Sequence, residues 1–460
     1  MVVIAIVHGQ GLILNNNSSN IIIQGCSFHN STAQAVVLSN ISGNVYINNC
    51  QFTHNKYHKG HGAAIYYTSS PEQSTQVQLV INNCNFTSNG PAESVVYIDN
   101  SNNKVNDHIS LLQNSTFTQN KGVPIYISHT SLILSNSVSF KDNKAIAGGG
   151  IYSRNSIIKF DDKCNVSFYN NSVNNKGGAI YQTHSKMFIR MNTIVMFARN
   201  SAVGYGGAVF TEERSLISFE DQSQVTFDDN RARSGGAICS VQNSSLLFCR
   251  NSVVEFSHNV AVEFGGGAMN FASYVVIYNN ASISFHNNTA RWGGAISEFH
   301  SSNVSFDENS RLTFTENKAT GREGAMYCNF NSRFSFDGNS LLTFSDNSAV
   351  YGGGAIDLYS GGNCYTTFHG NSSLSFHNNR ARYGGAILSY HTSKMSFTDS
   401  VTITFTNSRA THGGVLLTSH CDVSFTGHSM VTFTNNTSVD RSGALYCTNI
   451  CYMTFKVNST

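Results

Sequence analysis

Charge is scarce in this chain: only 12% of its 460 residues are Asp, Glu, Lys or Arg, and the formal net charge is +2. A nucleic-acid binder needs a dense basic surface to displace counterions, so that class is excluded. Proline is nearly missing, with three residues, and no proline-rich linker or hinge divides the chain. No apolar run approaches the roughly 18 residues of a membrane-spanning helix, so the sequence contains no transmembrane helix. Helical periodicity is absent too, since no segment keeps apolar residues at i, i+3, i+4 and i+7 for long. Asn and Ser supply solubility instead, and an apolar share of 40% is ample for a continuous core.

What is present is a repeat. In the stretch from Phe285 to Phe314, Phe285 is followed by Asn288, Ala290 and the run Gly293-Gly294-Ala295-Ile296. Val304-Ser305-Phe306 and Leu312-Thr313-Phe314 come next, each alternating with period two as a half-buried strand does. The second Gly of the GGAI run, or its replacement, recurs at 149, 178, 207, 236, 267, 294, 324, 354, 385, 414 and 443. Ten intervals span 294 residues, about 29 each. Such a period means a solenoid in which each repeat buries its apolar face by stacking on its neighbours. The fold class is therefore all-β, a parallel β-helix of roughly fifteen coils. The general preference of parallel crossovers makes it right-handed.

The FxxN slot is occupied from Phe28 to Phe433 at fifteen positions, with Asn fourth in thirteen; Ser31 and Ser408 are the exceptions. A second Phe lies at 160, 188, 219, 248, 306, 336, 368, 397, 425 and 455, with Ile277 filling one gap. Together the two slots use 25 of the 31 Phe residues, which assigns the aromatics to core. Phe is expected to stack on Phe at the strand spacing of about 4.8 Å, and Asn to form a ladder while adopting a left-handed turn. Paired glycines permit a sharp bend at positive φ. The residue after GGA faces inward, and the one after that outward.

Residues 1–140 carry a degenerate form with spacing from 23 to 34, and residues 141–460 the regular one. Loops are expected at Pro71 to Thr75 and Asn100 to Asp107. Met1 to Val7 lacks the positive flank and cleavage site of a signal peptide and reads as a strand of a cut-open coil. Met453-Thr454-Phe455 opens a repeat whose second strand never comes. Both ends read as cut mid-domain.

Alternating GGAI and FxxN motifs at this spacing resemble the repeat of the chlamydial polymorphic outer membrane proteins, from about residue 140 to the end. Gly235-Gly236-Ala237-Ile238 with Phe256-Ser257-His258-Asn259 matches both motifs. The resemblance implies a right-handed β-helical passenger, exposed at the cell surface and associated with the outer membrane, with an adhesive role.

Parallel β-helices also act on polysaccharides, so a lyase or a polygalacturonase-like glycosidase is the alternative. Gly60-His61-Gly62 resembles a polygalacturonase motif, as do the pairs Asp161-Asp162 and Asp228-Asp229. They stand in the wrong order, however, and form no carboxylate pair of the kind hydrolysis needs. Glu212, Glu213, Glu220, Asp221, Asp228 and Asp229 form the one dense acidic stretch and read as solvated turn residues. No catalytic residue, metal or cofactor is assigned. Of eleven cysteines, Cys26, Cys50 and Cys84 share one inward slot, as a thiol stack or a disulfide between coils. Cys421 and Cys447 compete for Cys451. Sixteen N-x-Ser/Thr sequons, about the number chance gives in so Asn-rich a chain, leave glycosylation open.

One exposed feature goes beyond scaffold. The residue before the glycine run is Tyr205, Phe264, Trp292, Tyr351 or Tyr383, and Arg231, Arg233, Arg380 and Arg382 lie just upstream of that slot. Stacked coils would align them as an aromatic and basic stripe, a ridge for a glycan or protein on a host or neighbouring cell surface. The expectation is a non-catalytic extracellular or cell-surface repeat protein.

Overall fold

The computed structural model describes residues 2–5, 8–9, 11–16, 19–70, 78–101, 108–272, 274–298, 302–322, 324–328, 331–359, 364–390, 392–449 and 451–456. The loop expected at 71–75 lies outside them, as does most of that at 100–107. The chain is an all-β parallel solenoid of about 14 turns and about 29 residues per turn, with no helix among the described residues. It divides into two compact units, residues 1–218 with 222–225, and residues 219–221 with 226–460.

Each unit is built from three parallel sheets in which a strand pairs with its counterpart one coil on. In the second unit Asn303–Phe306 pairs with Arg333–Phe336, and Arg311–Thr315 with Leu341–Ser345. Both pairs belong to one sheet. Met326–Cys328 pairs with Ile356–Tyr359 in the next, and Lys318–Ala319 with Ser348–Ala349 in the third. The first unit repeats the plan, as Asn165–Tyr169 with Ile194–Ala198 and Ile180–Thr183 with Val209–Glu212 show. At the start of the chain Val2–Ala5 pairs with Ile21–Gln24.

Alternation decides which side chains enter the core. Ser282–His286 carries Ile283 and Phe285 inward at 1% exposure each, with the residues between them half-exposed. Phe256, Phe285, Phe314 and Phe344 stack at centroid distances of 5.0, 4.7 and 4.7 Å with ring planes within 6°. In the first unit the stack from Phe28 to Phe197 has spacings of 4.4–5.1 Å. The strand spacing thus imposes the ring spacing. The second aromatic slot stacks likewise, Phe306 to Phe336 at 4.4 Å and Phe336 to Phe368 at 4.6 Å. Phe188 is an exception to the expected slot. Register sets Ile189 beside Phe160 and Phe188 beside Lys159, so Phe188 points outward beneath the Arg190 guanidinium, 4.3 Å away.

The Asn of FxxN forms a buried ladder. Asn288 Oδ1 accepts from the Asn259 N–H and from Asn259 Nδ2, both at 3.0 Å. Its own Nδ2 donates to Asn317 Oδ1 at 3.0 Å and to the Phe256 carbonyl at 2.9 Å. The left-handed conformation falls on the residue before it: Asn287, His258 and Glu316 have φ of 49°, 55° and 58°. The amide is needed for its bonds, not for its backbone.

The two glycines also differ in role. Gly177 has φ of 66°, whereas Gly178 is needed because a side chain there would overlap the Gly207 carbonyl of the next coil. The bend then folds back over the face of the strand that follows. That is why the position expected to face outward is buried in much of the chain: Phe210 is 2% exposed, Asp357 1% and Leu417 6%. Cys26, Cys50 and Cys84 are buried thiols in one slot, the Cys50 N–H pointing to Cys84 Sγ at 3.4 Å. Cys451 is disulfide-bonded to Cys447, and Cys421 is a buried thiol donating to the Ser419 carbonyl at 3.0 Å.

Two stability predictions follow from this core. Phe285→Ala should cost about 3–5 kcal/mol in denaturant unfolding, and the exposed Glu308→Ala less than about 0.5. Asn288→Asp should be at least as damaging as the Phe change, because it turns the Nδ2 donor into an acceptor facing two oxygens. Equal effects at positions 285 and 308 would contradict the burial pattern. In the first unit His108 is 3% exposed, held by the Tyr67 hydroxyl at 2.8 Å and Thr130 Oγ1 at 3.2 Å. Burial pushes its pKa down from 6.5 to about 4. In that window the unfolded chain binds a proton that the folded one refuses, so stability falls as pH drops through it. The loss should reach about 3 kcal/mol by pH 4 and disappear in His108→Gln, as read from unfolding curves at a series of pH values.

Candidate ligand-binding site

The bend preceding the glycines builds a cavity in the second unit. Successive coils are tied there by backbone bonds, Gly321 N–H to Arg291 O at 3.0 Å, Tyr351 to Gly321 at 3.1 Å and Tyr383 to Tyr351 at 3.0 Å. Tyr351 and Tyr383 therefore project from neighbouring coils at one register, with Tyr351 45% exposed. The Arg382 guanidinium bridges them, 5.6 Å from the Tyr351 ring centre and 5.3 Å from that of Tyr383. Beneath lies a half-open cavity of about 440 Å³ lined by Arg322, Tyr351, Asp357, Tyr383, Leu388 and Tyr390.

Asp357 is the unexpected member. It occupies the position after Ile356, where the other regular repeats place Tyr, Phe, Cys, Asn, Ser or Leu, and it is the one carboxylate in that slot. That singularity was the signal in the sequence, but with the position assigned to solvent it carried no weight. Its Oδ2 accepts the Gly353 N–H at 3.2 Å, while Oδ1 has no hydrogen-bond partner among the described residues. Burial pushes its pKa up to about 7, against the opposing pull of the Gly353 N–H and the Arg322 guanidinium.

The rest of the expected stripe is dispersed. Trp292 is half-buried with Arg291 5.8 Å from its ring, and the next coil offers Gly321 where Tyr351 follows, so no ring joins Trp292 to Tyr351. Arg233 is exposed and ion-paired with Glu263 at 2.5 Å, and Arg231 is exposed beside it. Arg380 donates to Asn378 Oδ1 at 3.2 Å. Tyr205 lies in the first unit, 6.0 Å from Phe210. The Phe264 side chain lies outside the described residues.

The first unit has a tyrosine column that the sequence reading missed. Tyr66, Tyr97, Tyr126 and Tyr152 follow one another at 5.1, 5.2 and 4.8 Å, and His61 stacks on Tyr97 at 4.5 Å. They occupy the slot after the inward Ile or Val, and a wider groove of about 670 Å³ is lined by His61, Glu93, Lys121, Tyr126, Lys144 and Tyr152. His61 belongs to this column with its Nε2 2.8 Å from Glu93, and burial lowers its pKa against the pull of that carboxylate.

The paired carboxylates make no converging constellation. Asp161 and Asp162 are exposed turn residues, Asp161 accepting from Ser135 Oγ at 3.2 Å. Asp228 accepts from Ser257 Oγ at 2.9 Å and pairs with His258 at 3.0 Å. The acidic stretch is less solvated than expected: Glu212 and Glu220 are 8% and 6% exposed. Cations one coil away explain this, Lys176 beside Glu212 at 2.9 Å and Arg250 beside Glu220 at 3.6 Å and Asp221 at 3.4 Å. Among the described residues no cluster of His, Cys, Asp or Glu could hold a metal, and no helix is long and apolar enough to cross a membrane.

Comparison with known proteins agrees with the motif reading. The family model of the Chlamydia polymorphic membrane protein (Chlamydia_PMP) repeat matches residues 165–183, 224–241, 282–297 and 341–358. Each match takes in an FxxN Phe and the glycine bend, and the fourth includes Tyr351 and Asp357. No curated protein and no solved structure matches the chain. At these four positions the chain is similar to the repeat of the Chlamydia polymorphic membrane protein family.

Proposed function

We propose that this chain is a non-catalytic β-solenoid of the cell surface, associated with an outer membrane, that attaches to glycans or proteins on a host or neighbouring cell. The observation that supports this reading most is the aromatic and basic cluster at the bends of a repeat that matches a membrane-protein family. Tyr351 and Tyr383 sit there under Arg382 at 5.6 and 5.3 Å. A solenoid holds such groups rigidly, so little side-chain entropy is lost when a partner docks. Ring faces and guanidinium groups are also the groups enriched at binding hot spots. A polysaccharide-cleaving reading has less support, because Asp161 and Asp228 of the two Asp pairs are engaged with Ser135 and Ser257 of neighbouring coils rather than paired across a cleft.

Beads coated with the chain should bind cultured epithelial cells, and excess soluble chain should displace them. Arg380→Ala with Arg382→Ala should reduce the salt sensitivity of attachment, since two exposed cations are lost while the core is untouched. Attachment indistinguishable from beads bearing an unrelated β-solenoid would refute the adhesive role. Release of sugars from pectins or other uronic-acid polymers, lost on changing Asp161 and Asp162, would establish catalysis instead.

A further inference from the structure

We propose that the cavity around Asp357 is a binding site for a neutral sugar residue, which gives the adhesive reading a ligand class and rests on that reading for its biological use. Its chemistry is that of a sugar site. Tyr351, Tyr383 and Tyr390 offer ring faces, Leu388 and Leu417 an apolar wall, and Asp357 a carboxylate oxygen without a hydrogen-bond partner among the described residues. A pyranose presents an apolar C–H face and a rim of hydroxyls, and needs both kinds of surface. The volume of about 440 Å³ lies in the range of small-ligand pockets and suits one or two sugar rings.

Two other ligand classes fit less well. Three tyrosines and a carboxylate would suit an ammonium group, but Arg322 lines the same cavity and Arg382 lies over its tyrosines, and both repel a cation. An acidic sugar would meet those arginines favourably, yet it would bring its carboxylate toward Asp357, which is only 1% exposed and already poorly solvated. A hydroxyl-rich neutral ring satisfies every group. Its hydroxyls donate to Asp357 Oδ1 and accept from the guanidinium groups at the rim.

The buried carboxylate also has the mark of a functional group retained against stability. An orphaned, 1%-exposed acceptor destabilises the fold. A position that accepts Leu or Ser in other coils does not require it for packing.

The test uses the whole chain and the methyl glycosides of glucose, galactose, mannose and N-acetylglucosamine, with their β-linked disaccharides, in saturation-transfer NMR and calorimetry. At least one should bind. Asp357→Asn, Asp357→Ala, Tyr351→Ala and Tyr383→Ala should each weaken binding about tenfold or more, whereas the exposed Glu308→Ala, away from the cavity, should leave it unchanged. Asp357→Asn should fold at least as stably as the parent, and Tyr351→Ala changes an exposed ring, so loss of binding in these two is not loss of fold. No binding by any glycoside, or binding equal in parent and in the Asp357 and Tyr383 variants, overturns the proposal. So does preference for tetramethylammonium or for a uronic-acid glycoside. Cell attachment that persists without glycoside binding sinks the sugar pocket while leaving adhesion standing; loss of both sinks the two together.

Discussion

Everything in this solenoid depends on side chains that bind their own kind one coil away. A primary amide is suited to this, since it carries donor and acceptor on one planar group. At Asn259, Asn288 and Asn317 the Nδ2 to Oδ1 distance is 3.0 Å at each step. The spare proton of each amide goes to the carbonyl of a Phe in the preceding coil, for Asn288 that of Phe256 at 2.9 Å. No polar atom of the column is left unpaired, which is the condition under which buried polar groups rigidify rather than destabilise. Phe obeys the same rule through dispersion, since a flat ring finds its best neighbour in another at the strand spacing.

Self-pairing is also why so much of the fold was legible. A residue that needs itself at a fixed interval writes a period into the sequence, and the FxxN and GGAI positions could be read directly. Where the reading failed, the information was local geometry. Phe188 looked like a member of the second stack, but one residue of register gives the slot to Ile189. The left-handed residue is the one before the Asn, a position open to His258, Asn287 and Glu316 alike, so its composition carries no consistent mark. The position after the inward Ile alternates outward and was assigned to water, yet the glycine bend covers it from Phe210 to Leu417 in many coils. That cover depends on how far a bend folds back, which periodicity does not encode.

The two candidate sites differ in self-pairing. Tyr66 to Tyr152 still stack ring on ring, beside a groove that Lys121 and Lys144 also line. At Asp357 self-pairing lapses. A carboxylate cannot bond to a copy of itself, and the equivalent neighbours are Tyr327 and Leu388, so no ladder claims it. Glu212 and Glu220 solve the same difficulty with Lys176 and Arg250 from adjoining coils. Asp357 has Arg322 near enough to act on it electrostatically, yet it keeps one oxygen directed elsewhere.

The amide column has a consequence for how such a chain changes over generations. Within a run of regular coils, recombination that removes or duplicates one whole repeat joins Asn to Asn and Phe to Phe at the seam, because both sides of any junction present the same groups. Fractional changes break every column at once. Length in whole repeats is therefore the neutral variable of this architecture, and the residues at the bends, outside the Asn and Phe columns, are where variation can alter what the surface recognises.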